Sequence, residues 1–155
     1  MHKPEPAAQL EEFIERFDPA IATVARASLR TLTARLPYAT RLVYDNYNAL
    51  AIGFCPGMRA SEVVLSIAIY PKRVLLCFLF AGKRTLDDPH ALMQGSGATN
   101  RFIPMATAKA LDDPRIEALI TQAERTAPVP FDTSVKGPLV IKSISVKQRP
   151  RRSGA

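Results

Sequence analysis

The sequence predicts an α+β fold: an antiparallel sheet of about five strands, with two helices before it and one helix after it. Three observations carry that expectation. Apolar residues repeat at helical spacing only near the start of the chain and again past residue 113. Between residues 41 and 81, short runs rich in Val, Ile, Leu, Phe and Tyr are separated by turn residues. Those separators are too short for parallel crossovers, so the runs must pair as hairpins. Helices segregated to the ends of an antiparallel sheet make the class α+β.

Taken in order, "QLEEFIERF" places Leu10, Phe13, Ile14 and Phe17 on one helical stripe. Asp18-Pro19 then restarts the chain, with Asp18 expected to cap a second helix and Pro19 to open it. Ile21, Val24, Ala25, Leu29, Leu32 and Leu36 continue that helix, which should stop before Pro37. "RLVYDNY", "ALAIGFC", "VVLSIAIY" and "RVLLCFLF" read as a four-stranded meander. Its turns fall at Asn46–Asn48, Pro56-Gly57 and Tyr70–Lys72. Asp88-Pro89 is expected to open a short helix that Gly95 closes in left-handed geometry. "RFIPM" reads as a further strand, confined by Pro104 to an edge or an end. Asp113-Pro114 starts the last helix, with Ile116, Leu119, Ile120 and Ala123 as its buried stripe. "GPLVIKSISV" has the composition of a late strand. "LDDP" occurs at 86–89 and again at 111–114, which shared helix-start chemistry explains without a repeat.

A chain of 155 residues is the size of one domain, large enough to bury a core without disulfides or a metal. A hydrophobic share of 47% and a charged share of 23% are those of a globular protein. No apolar run approaches the roughly 20 residues that cross a bilayer. The start "MHKPEPAAQLEEF" has no apolar signal region, so a cytoplasmic location is expected. Cys55 and Cys77 lie in apolar runs with no thiol or His at ligand spacing, and read as buried reduced thiols.

The net charge is +7, and its placement matters more than its size. Residues 133–155 hold six of the 21 basic residues and no acid, which leaves 15 against all 14 acids before them. The expected organisation is therefore a nearly neutral domain over 1–132 and a basic extension over 133–155. That extension reads as a late strand followed by a disordered tail, "VKQRPRRSGA".

Two polar stretches stand out against the apolar sheet. "YDNYN" at 44–48 puts Tyr44 and Asn46 on one strand face, with Asp45 and Tyr47 on the other. Asn46 and Asn48 are also ordinary turn residues. "QGSGATNR" offers consecutive amides around Ser96 and an arginine, Arg101, suited to an anion. The expected site gathers Tyr44, Asn46, Tyr47, Tyr70, Lys83, Gln94, Ser96 and Arg101 around a small polar or anionic ligand. Rings would stack, amides would orient, and Lys83 with Arg101 would neutralise charge.

Catalytic chemistry is poorly supplied. His90 is the one histidine of the body, and its place after Pro89 suits an exposed position. Ser96 has no evident base, and neither a phosphate-binding GxxxxGK[ST] loop nor a G-x-S-x-G elbow is present. No catalytic residue, metal site or cofactor is expected. Lys147, Arg149, Arg151 and Arg152 make a second candidate set, for weak non-specific nucleic-acid contact through the tail. An apolar sheet edge leaves room for a homodimer.

The stretches "VYDNYNALAIGF", "VVLSIAIYPKRVLLCFLFAGKRTLDDPHALMQGSGATNRFI" and "LDDPRIEALITQA" resemble the YdhG-like family of uncharacterised bacterial domains. The resemblance spans roughly residues 18–127. It implies an α+β domain with an antiparallel sheet and transfers no catalytic residue. Some members of that group are described as frataxin-like iron chaperones, which implies a face of carboxylates. Here that role would need Asp87, Asp88, Asp112 and Asp113 to cluster.

Overall fold

A computed structural model describes residues 5–79, 86–96 and 100–153. Helix α1 (Pro6–Glu15) and helix α2 (Pro19–Arg35) lead the chain, each opened by a proline whose missing N–H costs no helical bond. Pro37 ends α2, and the Leu36 amide still donates to Leu32 O at 2.9 Å. Four strands follow: β1 (Thr40–Asp45), β2 (Leu50–Cys55), β3 (Leu65–Tyr70) and β4 (Arg73–Leu79). Each pairs antiparallel with the next, as the short turns require. Strand β5 (Asn100–Pro104) adds to β4 at the sheet edge, where its terminal Pro104 is tolerated. Helix α3 (Pro114–Arg125) and strand β6 (Leu139–Ile144) complete the chain.

The class is α+β, but the sheet has six strands in the order β5-β4-β3-β2-β1-β6, and it is mixed. The sixth strand lies parallel to β1, with a register shift between Val43 and Tyr44. It can do so because the chain between β5 and β6 is long, and α3 makes the crossover. The close approach depends on Gly137, whose added Cβ would meet Ala39 O at 1.8 Å. Its amide donates to Pro37 O at 3.0 Å, and the Arg41 amide donates to Pro138 O at 2.9 Å.

All three helices contribute to one core against one face of the sheet. Phe13, Ile14 and Phe17 meet Leu29 and Leu32 of α2, Ile116 and Leu119 of α3, and the inward strand residues. Along β2 and β3 large residues alternate with small ones. Leu50, Ile52 and Phe54 point to the helices, as do Leu65, Ile67 and Ile69. Ala51, Gly53, Ser66 and Ala68 occupy the intervening positions and face the other way. The run "ALAIGFC" therefore looks continuously apolar while alternating by size. The opposite face carries a smaller cluster of Leu42, Cys55 and Val63, with Tyr44, Leu79 and Val140 against it.

Two local expectations need correction. Residues 88–95 form no helix. The Asp88 carboxylate instead accepts the amides of Leu92 at 3.0 Å and Met93 at 2.8 Å, closing a loop that competes with helix. Gly95 does take a left-handed φ of 102°. Asp18 precedes α2 without a side-chain capping bond, because its carboxylate binds Ser153. The second "LDDP" behaves as its spelling suggests, with the Asp113 carboxylate accepting the Arg115 amide at 2.9 Å.

The largest correction concerns the C-terminus. Among the described residues the late strand is followed by a docked strap and not by a disordered tail: residues 145–153 lie on the β1–β2 turn and the α1–α2 junction. The Ser145 amide donates to Asp45 O at 2.8 Å, and the Arg149 amide to Tyr47 O at 2.9 Å. Gln148 Nε2 donates to Asp45 O at 3.0 Å. A basic, Pro-containing composition suggested disorder because it lacks apolar residues to bury. Here hydrogen bonds and ion pairs hold the strap instead.

Candidate ligand cleft

The residues expected to form one site separate into two groups. An antiparallel meander brings its first and third turns to the same end of the sheet. Asn46, Tyr47 and Asn48, all exposed, form the β1–β2 turn, closed by the Asn46 amide on Ala49 O at 2.9 Å. Tyr70 ends β3 at the same end, in register with Arg73. Arg101 pairs with Phe78 near the far end of β4, and Gln94 pairs with Phe102 beyond the named strands. Ser96 lies exposed in that neighbourhood, and Lys83 falls outside the described residues.

Tyr44 and Arg101 also lie on opposite faces. Register carries Tyr44 to Ala51, Ala68 and Leu75, the face away from the helices. Arg101 registers with Phe78 and Leu65 on the helical face. The eight residues therefore do not share a concavity. Tyr44 is half-buried, its hydroxyl has no partner among the described residues, and loss of solvation raises its pKa. It packs against the minor cluster and does not line the cleft described next.

What the structure does assemble is a cleft of about 500 Å³ lined by Asn48, Tyr70, Pro71, Arg149, Pro150 and Arg152. Of the eight expected residues only Tyr70 lines it, where it meets Asn48 of the β1–β2 turn and two of the basic-tail residues, Arg149 and Arg152. The strap makes this possible. Arg151 turns inward, its Nη2 3.0 Å from Asp45 Oδ1, and both side chains are almost fully buried. The same guanidinium donates to the carbonyls of Asn46 and Tyr47 and lies 5.6 Å from the Phe17 ring centre. With Arg151 fixed inside, its neighbours Arg149 and Arg152 stay outside.

The arginine on the Asn48 side stands on an aromatic platform: the Arg149 guanidinium is 5.5 Å from the Tyr47 ring centre. Arg152 donates to Glu15 O at 3.2 Å and lies 3.9 Å from the Asp18 carboxylate. Tyr70 carries the Arg73 guanidinium 5.2 Å from its ring centre. Among the described residues no acid lines the cleft. Among the described residues no carboxylate pairs with Arg149, which is exposed.

Two other hollows are better explained by internal bonding. One of about 450 Å³ lies between α2 and α3. There Arg35 reaches Glu117 at 2.6 Å, Thr121 at 3.0 Å and Glu124 at 3.1 Å, while the Tyr38 hydroxyl donates to Glu124. Arg35, Tyr38, Thr121 and Glu124 of its lining already bond to one another. The second, of about 330 Å³, brings the two "LDDP" segments together at Asp87, Asp88, His90 and Pro114. Gln122 bridges it by donating to Asp87 O at 3.1 Å and accepting the Asp87 amide at 2.6 Å. The Asp113 carboxylate is held by Arg115 at 2.7 Å, which with the capping amide keeps its pKa down at about 2. Among the described residues no three His, Cys, Asp or Glu side chains are placed to hold a metal ion.

Both cysteines are free thiols. Burial pushes Cys55 up to about 11 and raises Cys77, so neither has the character of a nucleophile. No helix among the described residues is long and apolar enough to cross a membrane. Compared with family models, with curated proteins and with solved structures, the chain finds no match.

Proposed function

We propose that this chain is a non-catalytic binding module whose ligand is a small anion-bearing molecule, seated between the β1–β2 and β3–β4 turns. One observation carries the reading. Arg149 and Arg152 face a hollow of about 500 Å³ that has a tyrosine ring on one wall and no acid in its lining. Two guanidiniums on the wall of one hollow suit the paired oxygens of a carboxylate or phosphate. The Tyr70 ring and the Asn48 amide supply a stacking surface and an orienting group.

The likeness of the central stretches to YdhG-like domains is part of this reading, and the α+β sheet is compatible with it. Iron carriage gains no support from the acids, since Asp88 and Asp113 already bind amides and Arg115. Contact with nucleic acid remains a reading of the same corner, with the cations presented by a docked strap. The turn tyrosines favour it, because exposed rings beside arginines also receive bases.

Thermal denaturation in rising inorganic phosphate or pyrophosphate tests the proposal. A ligand that binds only the native chain raises its melting temperature. The wild-type chain should show that rise, and Arg149→Ala and Arg152→Ala should each reduce it. An equal rise in all three proteins would remove the cleft from consideration.

A further inference from the structure

Two depressions flank the turn between β3 and β4, and they differ in chemistry. Tyr70 and Pro71 line the cationic cleft. Immediately after them, Lys72, Arg73 and Val74 line a second hollow of about 320 Å³, with Ile21 and Val24 of α2 and Met105 beyond β5. Apart from Lys72 and Arg73, every residue lining that hollow is apolar. No acid lines either one.

The two hollows are also linked through their walls. The guanidinium of Arg73, which lines the apolar hollow, lies over the ring of Tyr70, which lines the cleft. On the helical side, Asp18 lies 3.9 Å from Arg152 of the cleft, and Ala20 and Ile21 of the hollow come two and three residues later in sequence. Half-buried Ile21 and Val24 present aliphatic surface next to a concentration of positive charge. A ligand with only a charged group would leave that surface wet. One that also carries an apolar part would cover it and gain by doing so.

Resting on the reading of the cleft given above, we infer that the ligand is an amphiphilic anion. Its phosphate or carboxylate head sits between Arg149 and Arg152. Its apolar body crosses the Pro71–Lys72 turn and lies against Ile21, Val24 and Met105. Lys72 and Arg73 at the rim select against a cationic amphiphile and favour a second acidic oxygen near the head. A hollow of about 320 Å³ is within the range of small-ligand pockets, roughly 300–1,000 Å³, and limits the body to a short alkyl chain or a small ring system.

Calorimetric titration with inorganic phosphate, ethyl phosphate, butyl phosphate and octyl phosphate, each kept monomeric, tests the inference. Affinity should rise by about threefold to fourfold for each methylene buried, until the hollow is full. Ile21→Ser should flatten that rise and leave inorganic phosphate unchanged. Val24→Ser serves as a second variant, and circular dichroism checks that each folds. Arg149→Ala should weaken every member of the series.

Equal affinity along the series would overturn the inference and leave the anion cleft standing. Failure of every member, inorganic phosphate included, would overturn both. A chain-length gain that neither Ile21→Ser nor Val24→Ser reduces would place the apolar contact elsewhere and also overturn it.

Discussion

Arg151 and Asp45 form an ion pair that is almost wholly buried, although they lie 106 residues apart. The partners are not equally mobile. Asp45 belongs to β1, paired on both sides by β2 and β6, and cannot leave the sheet. Arg151 belongs to a terminal strap and can withdraw into water. Removing one partner of a buried pair costs about 3–5 kcal/mol when the other must stay buried.

That asymmetry orders two variants. Among the described residues, Arg151→Ala strands the Asp45 carboxylate with only Arg16, half-exposed and 3.4 Å away. It should lower stability by about 3 kcal/mol, near the lower end of that range. Asp45→Asn lets the strap undock, which caps its cost at the docking free energy, about 1–2 kcal/mol. Urea denaturation should therefore find Arg151→Ala the less stable of the two. Faster hydrogen exchange at the Arg149 amide should mark Asp45→Asn.

The parallel strand rests on a single close approach. A methyl group at residue 137 would stand 1.8 Å from Ala39 O and 2.8 Å from the Thr40 nitrogen, both backbone atoms that cannot swing aside. Gly137→Ala should push β6 off β1 and destabilise the fold by about 3 kcal/mol, the upper part of the overpacking range. Exchange of the Val140 to Ile144 amides should accelerate while α3 amides keep their protection. Unchanged protection across β6 would show that the backbone accommodates the methyl.

Strap docking should depend on acid. A hydrogen bond from the Ser153 hydroxyl, then one from its amide, lowers the pKa of the Asp18 carboxyl below its ordinary 3.8. A carboxyl depressed in the folded state binds its proton more readily when undocked. Its contribution is complete above pH 3.8 and disappears as pH falls through the lower folded value. Amide resonances of Ser153 should therefore shift below about pH 4. In Asp18→Asn that acid-dependent step should vanish.

The meander was legible because its four runs are rich in Val, Ile, Leu, Phe and Tyr, and the turns between them carry Asn, Pro and Gly. The helix starts at Pro19 and Pro114 were legible for similarly local reasons. The sixth strand's direction was not, since parallel pairing depends on the path of the whole 105–138 connection and on space beside Ala39. The strap was misread on composition: nothing local in "KQRPRRS" announces a partner at Asp45, more than a hundred residues away. Asp45 was visible as the acid within "YDNYN", but alternation places it on a face without saying that the face is sealed. That Tyr47 and Tyr70 share an end follows from the meander's first and third turns, whereas the place of Arg101 depends on the register of β5.

Tyr44 decides how much of "YDNYN" belongs to the cleft. Its hydroxyl is buried with no partner among the described residues, and its ring lies against Leu42, Cys55 and Val63 on the face away from the helices. A buried hydroxyl without a partner forfeits its hydration, a cost of about 1–3 kcal/mol, while a phenyl ring fills the same space. Tyr44→Phe should therefore raise the melting temperature, by an amount equivalent to about 1 kcal/mol. Phosphate affinity should stay at the wild-type value, because the residue contributes nothing to the cleft lining. Tyr47→Ala should behave oppositely. It removes the platform under Arg149, lets that guanidinium move, and should weaken phosphate binding with little change in stability at an exposed turn. Weaker binding in Tyr44→Phe with no loss in Tyr47→Ala would move the site from the turn to the outer face of the sheet.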